Sequence, residues 1–128
     1  MRENSSEITK YIQIARENHK KGNIYQANEI YKKLINQKIY TYELLISYGL
    51  FCKEINNLKI AKNLFNLSIK KYPSKINAYI LLAEILRKEN KVNDALKALF
   101  AAKKIEKSNP DIDYNLSLIH ISEPTRRT

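Results

Sequence analysis

The residue types best suited to acid–base, nucleophilic or metal chemistry are scarce in this sequence. Its histidines are His19 and His120, and Cys52 is its one cysteine. A structural zinc site takes four ligands, mainly cysteine and histidine at close spacing, and three dispersed residues cannot supply such a set. Two glycines are also too few for a glycine-rich phosphate-binding loop. We therefore expect no catalytic centre, no metal site and no cofactor, and we expect that this chain is not an enzyme.

His19 and Cys52 have structural explanations that need no chemistry. His19 falls near the end of the first predicted helix, where a cation offsets the partial negative charge of the helix C-terminus. Cys52 occupies a place that should face inward, so we interpret it as a small buried hydrophobe rather than a reactive thiol. A single cysteine also excludes an intrachain disulfide.

The elements that position these residues follow from a sequence period of 34 residues. A small residue is followed four positions later by a large apolar one at Ala27 and Tyr31, at Ala61 and Phe65, and at Ala95 and Leu99. Twelve residues before these alanines stand the small residues Ala15, Gly49 and Ala83, and four residues earlier again stand Tyr11, Leu45 and Tyr79. Because small residues let two helix backbones approach while large neighbours fill the flanking space, these positions are predicted to be helix crossings.

Each period also carries a turn signal between its two small positions. The residues there are Gly22, Asn56 and Asn90, and glycine and asparagine best tolerate the left-handed conformation that ends helices. Each period is therefore predicted to be a helix, a tight turn and a helix, and the fold class is predicted to be all-α. Since one helix pair buries only one face, the pairs must stack into a solenoid.

At these positions the chain resembles the tetratricopeptide repeat family, whose W-x2-L-G-x2-Y…A-x3-F…P pattern has the same period. The resemblance covers about 7–107 in three copies, but the sequence has no tryptophan and only Pro73 matches the closing proline. The tyrosine place holds Asn18, Cys52 and Leu86. The resemblance implies a right-handed α-α superhelix of about three helix-turn-helix repeats plus the start of a fourth, in a bacterial protein-interaction scaffold.

The period sets the expected boundaries along the chain. They are an N-terminal tail at 1–6, repeats at 7–40, 41–74 and 75–108, and the start of a fourth repeat at 109–115. The helices are predicted over 6–20, 24–37, 42–55, 58–71, 75–89 and 92–107. Asn4 and Asn23 each begin a sequence that resembles a capping box. Asn109 followed by Pro110 predicts the start of a seventh helix.

The formal net charge of +10 predicts a basic surface. Most lysines and arginines occur as pairs near predicted helix ends, such as Lys70 with Lys71, where they offset the helix dipole. No basic tract with interleaved aromatic residues occurs, so nucleic acid is not the expected partner. The longest apolar stretch, 44–52, is too short to span a membrane, and the polar start lacks a secretory signal. We expect a cytoplasmic location and no membrane insertion.

The segment 116–126, LSLIHISEPTR, differs in character from the lysine-, isoleucine- and asparagine-rich chain before it. In one reading frame it resembles the translation of the transposon-end adapter used in fragmented sequencing libraries. We therefore predict that the gene was cut within its fourth repeat and that 116–128 is foreign sequence, which removes His120 from functional reasoning. Leu116 and Ser117 also suit the repeat pattern, so the alternative is a genuine helix for a few residues.

The family resemblance implies that the first helix of each pair lines a concave face that binds another protein. The residues expected on that face are Ile12, Gln13, Arg16, Lys20, Ile46, Leu50, Lys53, Ile80, Glu84, Arg87 and Lys88. Aliphatic anchors beside a mostly cationic edge favour a peptide partner with apolar residues and acidic neighbours. The alternative is that the aliphatic members only pack against neighbouring helices.

The carboxylate clamp of chaperone-binding family members needs lysine, asparagine and arginine from successive repeats. Ile12, Ser47 and Leu81 occupy three of those places, so a free C-terminal carboxylate is not the favoured ligand. A second hypothesis makes the chain the N-terminal repeat region of a longer enzyme, such as a sulfotransferase or glycosyltransferase. A third makes it a basic nucleic-acid-binding helical module, whose affinity would fall steeply with salt.

Overall fold

The computed structural model describes residues 5–122, which form seven α-helices and no strand. The helices are α1 Ser5–Lys20, α2 Ile24–Asn36, α3 Tyr42–Glu54, α4 Leu58–Lys71, α5 Asn77–Lys88, α6 Val92–Ile105 and α7 Pro110–Ser122. None of these helices is both long and apolar enough to cross a membrane. The all-α fold class predicted from the period is confirmed.

The helices stack as consecutive pairs. α1 packs on α2, α3 on α4 and α5 on α6, while α4 contacts α5 and α6 contacts α7. The first helices of the pairs also contact one another in series, α1 with α3, α3 with α5 and α5 with α7. We call the side that α1, α3 and α5 share the first-helix face. Each pair therefore covers one side of the next, which is the solenoid arrangement that the period predicts.

Equivalent turns join the two helices of each pair. Gly22, Asn56 and Asn90 have positive φ angles of 86°, 65° and 64°, as their residue types predict. In each turn the next backbone N–H donates to a carbonyl oxygen of the preceding helix, from Asn23 to Asn18, from Asn57 to Cys52 and from Lys91 to Leu86. These bonds, 2.7–2.8 Å long, satisfy helix carbonyls that would otherwise lack a partner.

Small residues mark the places where helices cross. Ala27, Ala61 and Ala95 have no exposed surface, and Ala15 and Ala83 are also buried. Their large companions Tyr31, Phe65 and Leu99 are buried too. A Cβ atom on Gly49 would lie 2.8 Å from Cζ of Phe65, so α3 approaches α4 too closely for any side chain there. The period therefore arises from close backbone approach between helices.

Several helix bounds differ from the predicted ones by one or two residues, and α6 ends at Ile105 rather than at 107. α1 begins at Ser5, so part of the predicted tail 1–6 is helical. α5 begins at Asn77, two residues after the predicted start, because Tyr72 and Pro73 end α4 and the chain needs 72–76 to turn. Lys38 has a φ of 62° in the connection from α2 to α3, although lysine carries no signal for a left-handed residue.

Helix caps follow the sequence only in part. Asn109 accepts hydrogen bonds from the backbone N–H groups of Asp111 and Ile112, at 2.8 and 3.4 Å, as predicted for the start of α7. The predicted capping box at Asn23 is wrong, because its side-chain amide donates to Oδ1 of Asn18 instead. Asn4, the other predicted cap, lies outside the described residues.

Helix α7 extends through the predicted boundary at residue 116 without a break. Ile112 and Ile119 are buried, and Leu116 packs against both hydrophobic clusters of the protein. These three residues cover apolar surface of α5 and α6. The foreign origin of 116–128 stays a prediction, and residues 123–128 lie outside the described part of the chain, as does the side chain of His120.

Candidate functional site

A cleft of about 440 Å³ lies on the first-helix face between α1 and α3. We call it the α1–α3 cleft. Its lining combines basic, polar, acidic and apolar side chains, which are Arg16, His19, Lys20, Tyr31, Ser47, Leu50, Phe51 and Glu54. Three of these, Arg16, Lys20 and Leu50, were predicted for a binding face. The cleft therefore brings part of the predicted site together and adds residues that the sequence interpretation missed.

Arg16 is held in the cleft by one hydrogen bond. Its guanidinium donates to Oγ of Ser47 at 2.6 Å, and Ser47 itself is buried. A guanidinium has five N–H donors in a planar fork, so this bond fixes the group while leaving donors for a ligand. Orientation before binding reduces the entropy lost when a carboxylate or carbonyl is bound.

His19 links the same two helices at the other end of the cleft. Its Nε2 lies 3.1 Å from Oε1 of Glu54, and its ring meets the edge of Phe51 at a centroid distance of 5.0 Å. His19 does lie in the last turn of α1, as predicted, but its partner is a carboxylate on α3. His19 shares its position in the period with Lys53 and Arg87, so the sequence marks a basic position there but does not identify Glu54 as the partner.

Two further polar contacts join consecutive first helices. Thr9 donates from Oγ1 to Oε1 of Glu43 at 3.1 Å, and Nζ of Lys53 lies 3.1 Å from Oε1 of Glu84. Both contacts lie on the first-helix face. Carboxylates on α3 and α5 are therefore held by neighbouring helices, although among them only Glu84 is paired with a lysine in the described part of the chain.

Four basic residues that are predicted for the face have no counter-charge. Within residues 5–122, Arg16, Lys20, Arg87 and Lys88 form no salt bridge. Nε of Arg87 is buried and has no hydrogen-bond partner among the described residues. Gln13, which was also predicted for the face, is exposed and donates to Glu17 on its own helix. The face therefore has a net cationic character that an acidic segment would complement.

The predicted aliphatic anchors divide into two classes. Ile46 and Leu50 on α3 are half-buried and remain accessible on the first-helix face. Ile12 and Ile80 are 0% and 7% exposed, so the prediction that they are presented to a ligand is wrong. Ile12 belongs to the main core, and Ile80 packs in a cluster with Ile112 of α7. Both are buried because adjacent first helices close over this line of residues.

Two tyrosines of the predicted packing pattern differ in their surroundings. Tyr79 is half-buried, and its hydroxyl donates to the carbonyl oxygen of Pro73 at 2.8 Å. Tyr11 is 40% exposed, which contradicts its assignment to a helix crossing. It lines a small hollow with Ile30 and Leu34 of α2. The equivalent Leu45 is fully buried, because an earlier helix pair covers it and no described helix does so for Tyr11.

Burial keeps the ionisable groups near the site in their neutral forms, so they are not activated as nucleophiles or bases. Burial raises the pKa of the Cys52 thiol to about 12, and it raises the pKa values of Tyr31 and Tyr48 to about 12. Tyr31 stacks on Tyr48 with ring centroids 5.0 Å apart, so these rings serve packing between pairs. Among the described residues no group of three potential metal ligands lies together.

Comparison with known proteins defines the fold. No family model matches the sequence, and no curated protein matches it. Solved tetratricopeptide-type structures do match, so the chain has a tetratricopeptide-type helical-repeat fold. The type III secretion translocator chaperone SycD of Yersinia enterocolitica aligns with a TM-score of 0.82 at 14% identity, over 97% of this chain and 90% of that chain.

Two more solved structures align over nearly the whole chain. The first tetratricopeptide domain of Spaghetti (RPAP3), bound to an HSP90 peptide, gives a TM-score of 0.80 at 18% identity, covering 92% of this chain and 94% of that one. The OM64 tetratricopeptide domain of Arabidopsis gives 0.78 at 10% identity, covering 89% and 94%. At these identities the likeness establishes the fold.

Proposed function

We propose that this chain is a cytoplasmic, non-catalytic scaffold that binds a peptide segment of another protein on its first-helix face. The observation that carries the proposal is the unpaired charge of Arg16, Lys20, Arg87 and Lys88 beside the accessible Ile46 and Leu50. A surface with cations around an apolar strip suits a peptide with apolar residues and acidic neighbours. Burial of the apolar side chains supplies affinity at about 25 cal/mol per Å² before the entropic cost of binding.

The neighbours in structure support this proposal. SycD has been solved with a peptide of the translocator YopD, and the Spaghetti (RPAP3) domain with the HSP90 peptide SRMEEVD. PcrH has been solved with the chaperone-binding region of PopB, at a TM-score of 0.74 to this chain. Proteins of this fold therefore bind peptide segments, and the first-helix face is where we expect this chain to do so.

The chemistry of the face favours internal acidic and apolar residues over a free C-terminal carboxylate. Arg16 is directed to Ser47, and the neighbouring place held by Ile12 is buried and apolar. A clamp for one carboxylate would need several donors converging on a single point. Here the cations are spread from α1 to α5, so several acidic side chains along a peptide can meet them.

A binding titration tests this function. The probe is a short blocked peptide in which leucine and glutamate alternate, labelled with fluorescein, and we call it the Leu-Glu peptide. Read at the methyl signals of Ile46 and Leu50, which report the first-helix face, the affinity should fall by at least about tenfold, or 1.4 kcal/mol, in Arg16→Glu with Arg87→Glu. Circular dichroism shows whether the variant remains folded.

The matched control places the same charge change elsewhere. Lys32 and Lys59 are exposed on the second helices α2 and α4. At a salt concentration that screens long-range attraction, Lys32→Glu with Lys59→Glu should change the affinity by no more than a factor of about two. Equal loss in both double variants would mean that only net charge matters and would contradict a site on the first-helix face.

A further inference from the structure

A second groove lies among the second helices, on a surface that the first-helix face does not include. Its volume is about 580 Å³, and we call it the α4–α6 groove. Leu82 and Leu86 of α5 form its floor, with α4 and α6 as its walls. Both leucines are at least nine-tenths buried, so the floor is part of the packed array rather than a mobile loop.

The groove exists because α6 carries small residues where the preceding second helix carries large ones. Ala98 and Ala101 line the α6 wall and are half-buried. One period earlier, the equivalent residues are Leu64 and Leu67 of α4, which pack in or against the main core. The leucines of α4 therefore fill the space at their positions, whereas the alanines of α6 leave the equivalent space open.

The α4 wall presents polar groups that have no partner. Asn63 and Asn66 lie one turn apart, are exposed and line the groove, and their side-chain amides make no hydrogen bond within residues 5–122. Lys62 beside them is engaged, since its Nζ donates to Oε1 of Glu89 at 2.7 Å. A carboxamide is both donor and acceptor, so it can pair with a backbone N–H and a backbone C=O.

We propose that the α4–α6 groove binds an extended peptide segment of a partner protein, with the two asparagine amides pairing with its backbone and the leucine floor contacting its apolar side chains. An extended segment presents unpaired backbone N–H and C=O groups, whereas in a helix these groups are already hydrogen-bonded to one another. The asparagines therefore select an extended chain. This inference does not depend on binding at the first-helix face.

The dimensions and charge of the groove define the segment. The α6 wall from Asp94 to Ala101 covers seven helical steps, or about 10 Å at about 1.5 Å per residue. About three extended residues at about 3.3 Å each span that length. Lys97 and Asp94 are both exposed on this wall, so an acidic residue beside the apolar one suits the position next to Lys97, and the residue that faces Asp94 should be uncharged.

Side-chain NMR tests the proposal with the Leu-Glu peptide on isotope-labelled full chain. Titration should shift the side-chain amide signals of Asn63 and Asn66 and the methyl signals of Leu82 and Leu86, to saturation. The same shifts should persist in the Arg16→Glu, Arg87→Glu variant, because that site is separate. Absence of saturable shifts at the asparagine amides in the wild type overturns the proposal.

Filling the groove provides the matched variants. Ala98→Leu with Ala101→Leu gives α6 the leucines that α4 has at the equivalent positions 64 and 67, and it should remove the shifts. Phe100→Leu, at a residue that is 51% exposed outside the groove, should keep them. Unchanged shifts in the filled variant contradict the proposal. If the filled variant does not fold, Asn63→Ala with Asn66→Ala replaces it, and affinity read at the Leu82 methyl groups should fall about tenfold. Unchanged affinity there also contradicts it.

Discussion

Gly49 on α3 has no side chain, and the ring of Phe65 on α4 occupies the space that a side chain there would need. A Cβ atom on Gly49 would lie 2.8 Å from Cζ of that ring. The ring itself has no exposed surface and cannot move outward without opening the core. The pair sets how closely the two helices of the second repeat approach, and its equivalents set the crossings of the other pairs.

Gly49→Ala should therefore destabilise the protein even though alanine is the better helix former. Overpacking costs about 1–3 kcal/mol, which exceeds the gain of about 1 kcal/mol in helix propensity. Ala61→Leu at the facing crossing should be at least as costly, whereas Ala101→Leu, in the open α4–α6 groove, should be nearly neutral. Urea unfolding measures all three. A stable Ala61→Leu protein would show that the register of the stack is wrong.

Lys38 pays a conformational cost that glycine would avoid. Its φ of 62° lies in the left-handed region, which costs a non-glycine residue about 1–2 kcal/mol. Lys38→Gly should raise the free energy of unfolding by about 0.5–1 kcal/mol after the entropy of glycine is included. Lys32→Gly, within α2, should lower it by about 1 kcal/mol. Thermal melting should therefore show a higher midpoint for Lys38→Gly and a lower one for Lys32→Gly than for the wild type. A lower midpoint in both variants contradicts the left-handed conformation of Lys38.

The contact between Lys62 and Glu89 predicts a pH dependence. The hydrogen bond from Lys62 lowers the pKa of the Glu89 carboxyl from its ordinary value, and the same bond raises the pKa of Lys62. A lowered carboxyl pKa gives stability that is present above the unfolded-state pKa and is lost as pH falls through the folded-state pKa. The raised lysine pKa gives stability that is lost only at alkaline pH.

Melting curves of Glu89→Gln therefore depend on pH in a defined direction. The variant should have a lower melting temperature than the wild type at neutral pH. In acid the two melting temperatures should be equal, because the carboxyl is then protonated in both the folded and the unfolded state. The difference should be under about 1 kcal/mol because the pair is solvent-accessible. Glu29→Gln, an exposed carboxyl in α2, serves as control and should follow the wild type throughout. A gap that persists in acid would exclude the ion pair as its source.

Ile119 in α7 covers apolar surface whether or not its codons belong to the gene. It is 3% exposed and belongs to the main core. Ile119→Ser should destabilise by about 2–4 kcal/mol, since it removes buried methyl groups. Tyr114→Ser, at a largely exposed position on the same helix, should stay within about 0.5 kcal/mol. Similar melting of the two variants would mean that α7 is not docked. The adapter origin of 116–126 is tested separately, by sequencing the intact gene.

The fold could be predicted because its determinants are local and repeated. The small and large residues of each crossing, such as Ala61 with Phe65, recur with the period, and Asn56 and Asn90 carry a left-handed turn signal. Lys38 could not be predicted, because the hydrogen bonds that end α2, from its own N–H to Ile35 and from that of Ile39 to Leu34, place it in this conformation although lysine carries no left-handed signal. The assignment of repeats to 7–40, 41–74 and 75–108 stays a prediction.

The candidate site was less predictable because burial on the first-helix face depends on neighbouring helices. Ile12 and Ile80 look like exposed anchors in the period, but α3 and α7 pack over them. The contacts of Arg16 with Ser47 and of His19 with Glu54 join residues about one period apart, with no local signal of their own. The α4–α6 groove could not be predicted from the sequence, because Ala98 and Ala101 leave open space only where α4 and α6 lie on either side of α5.

The central claim is that a peptide binds on the first-helix face, and photo-cross-linking locates it most directly. The Leu-Glu peptide carries a diazirine on one leucine, and mass spectrometry maps the adducts. We expect adducts on α1 and α3 around Ile46 and Leu50, and we expect Arg16→Glu with Arg87→Glu to remove them while Lys32→Glu with Lys59→Glu does not. Binding that yields no adduct on α1 or α3 would contradict the account.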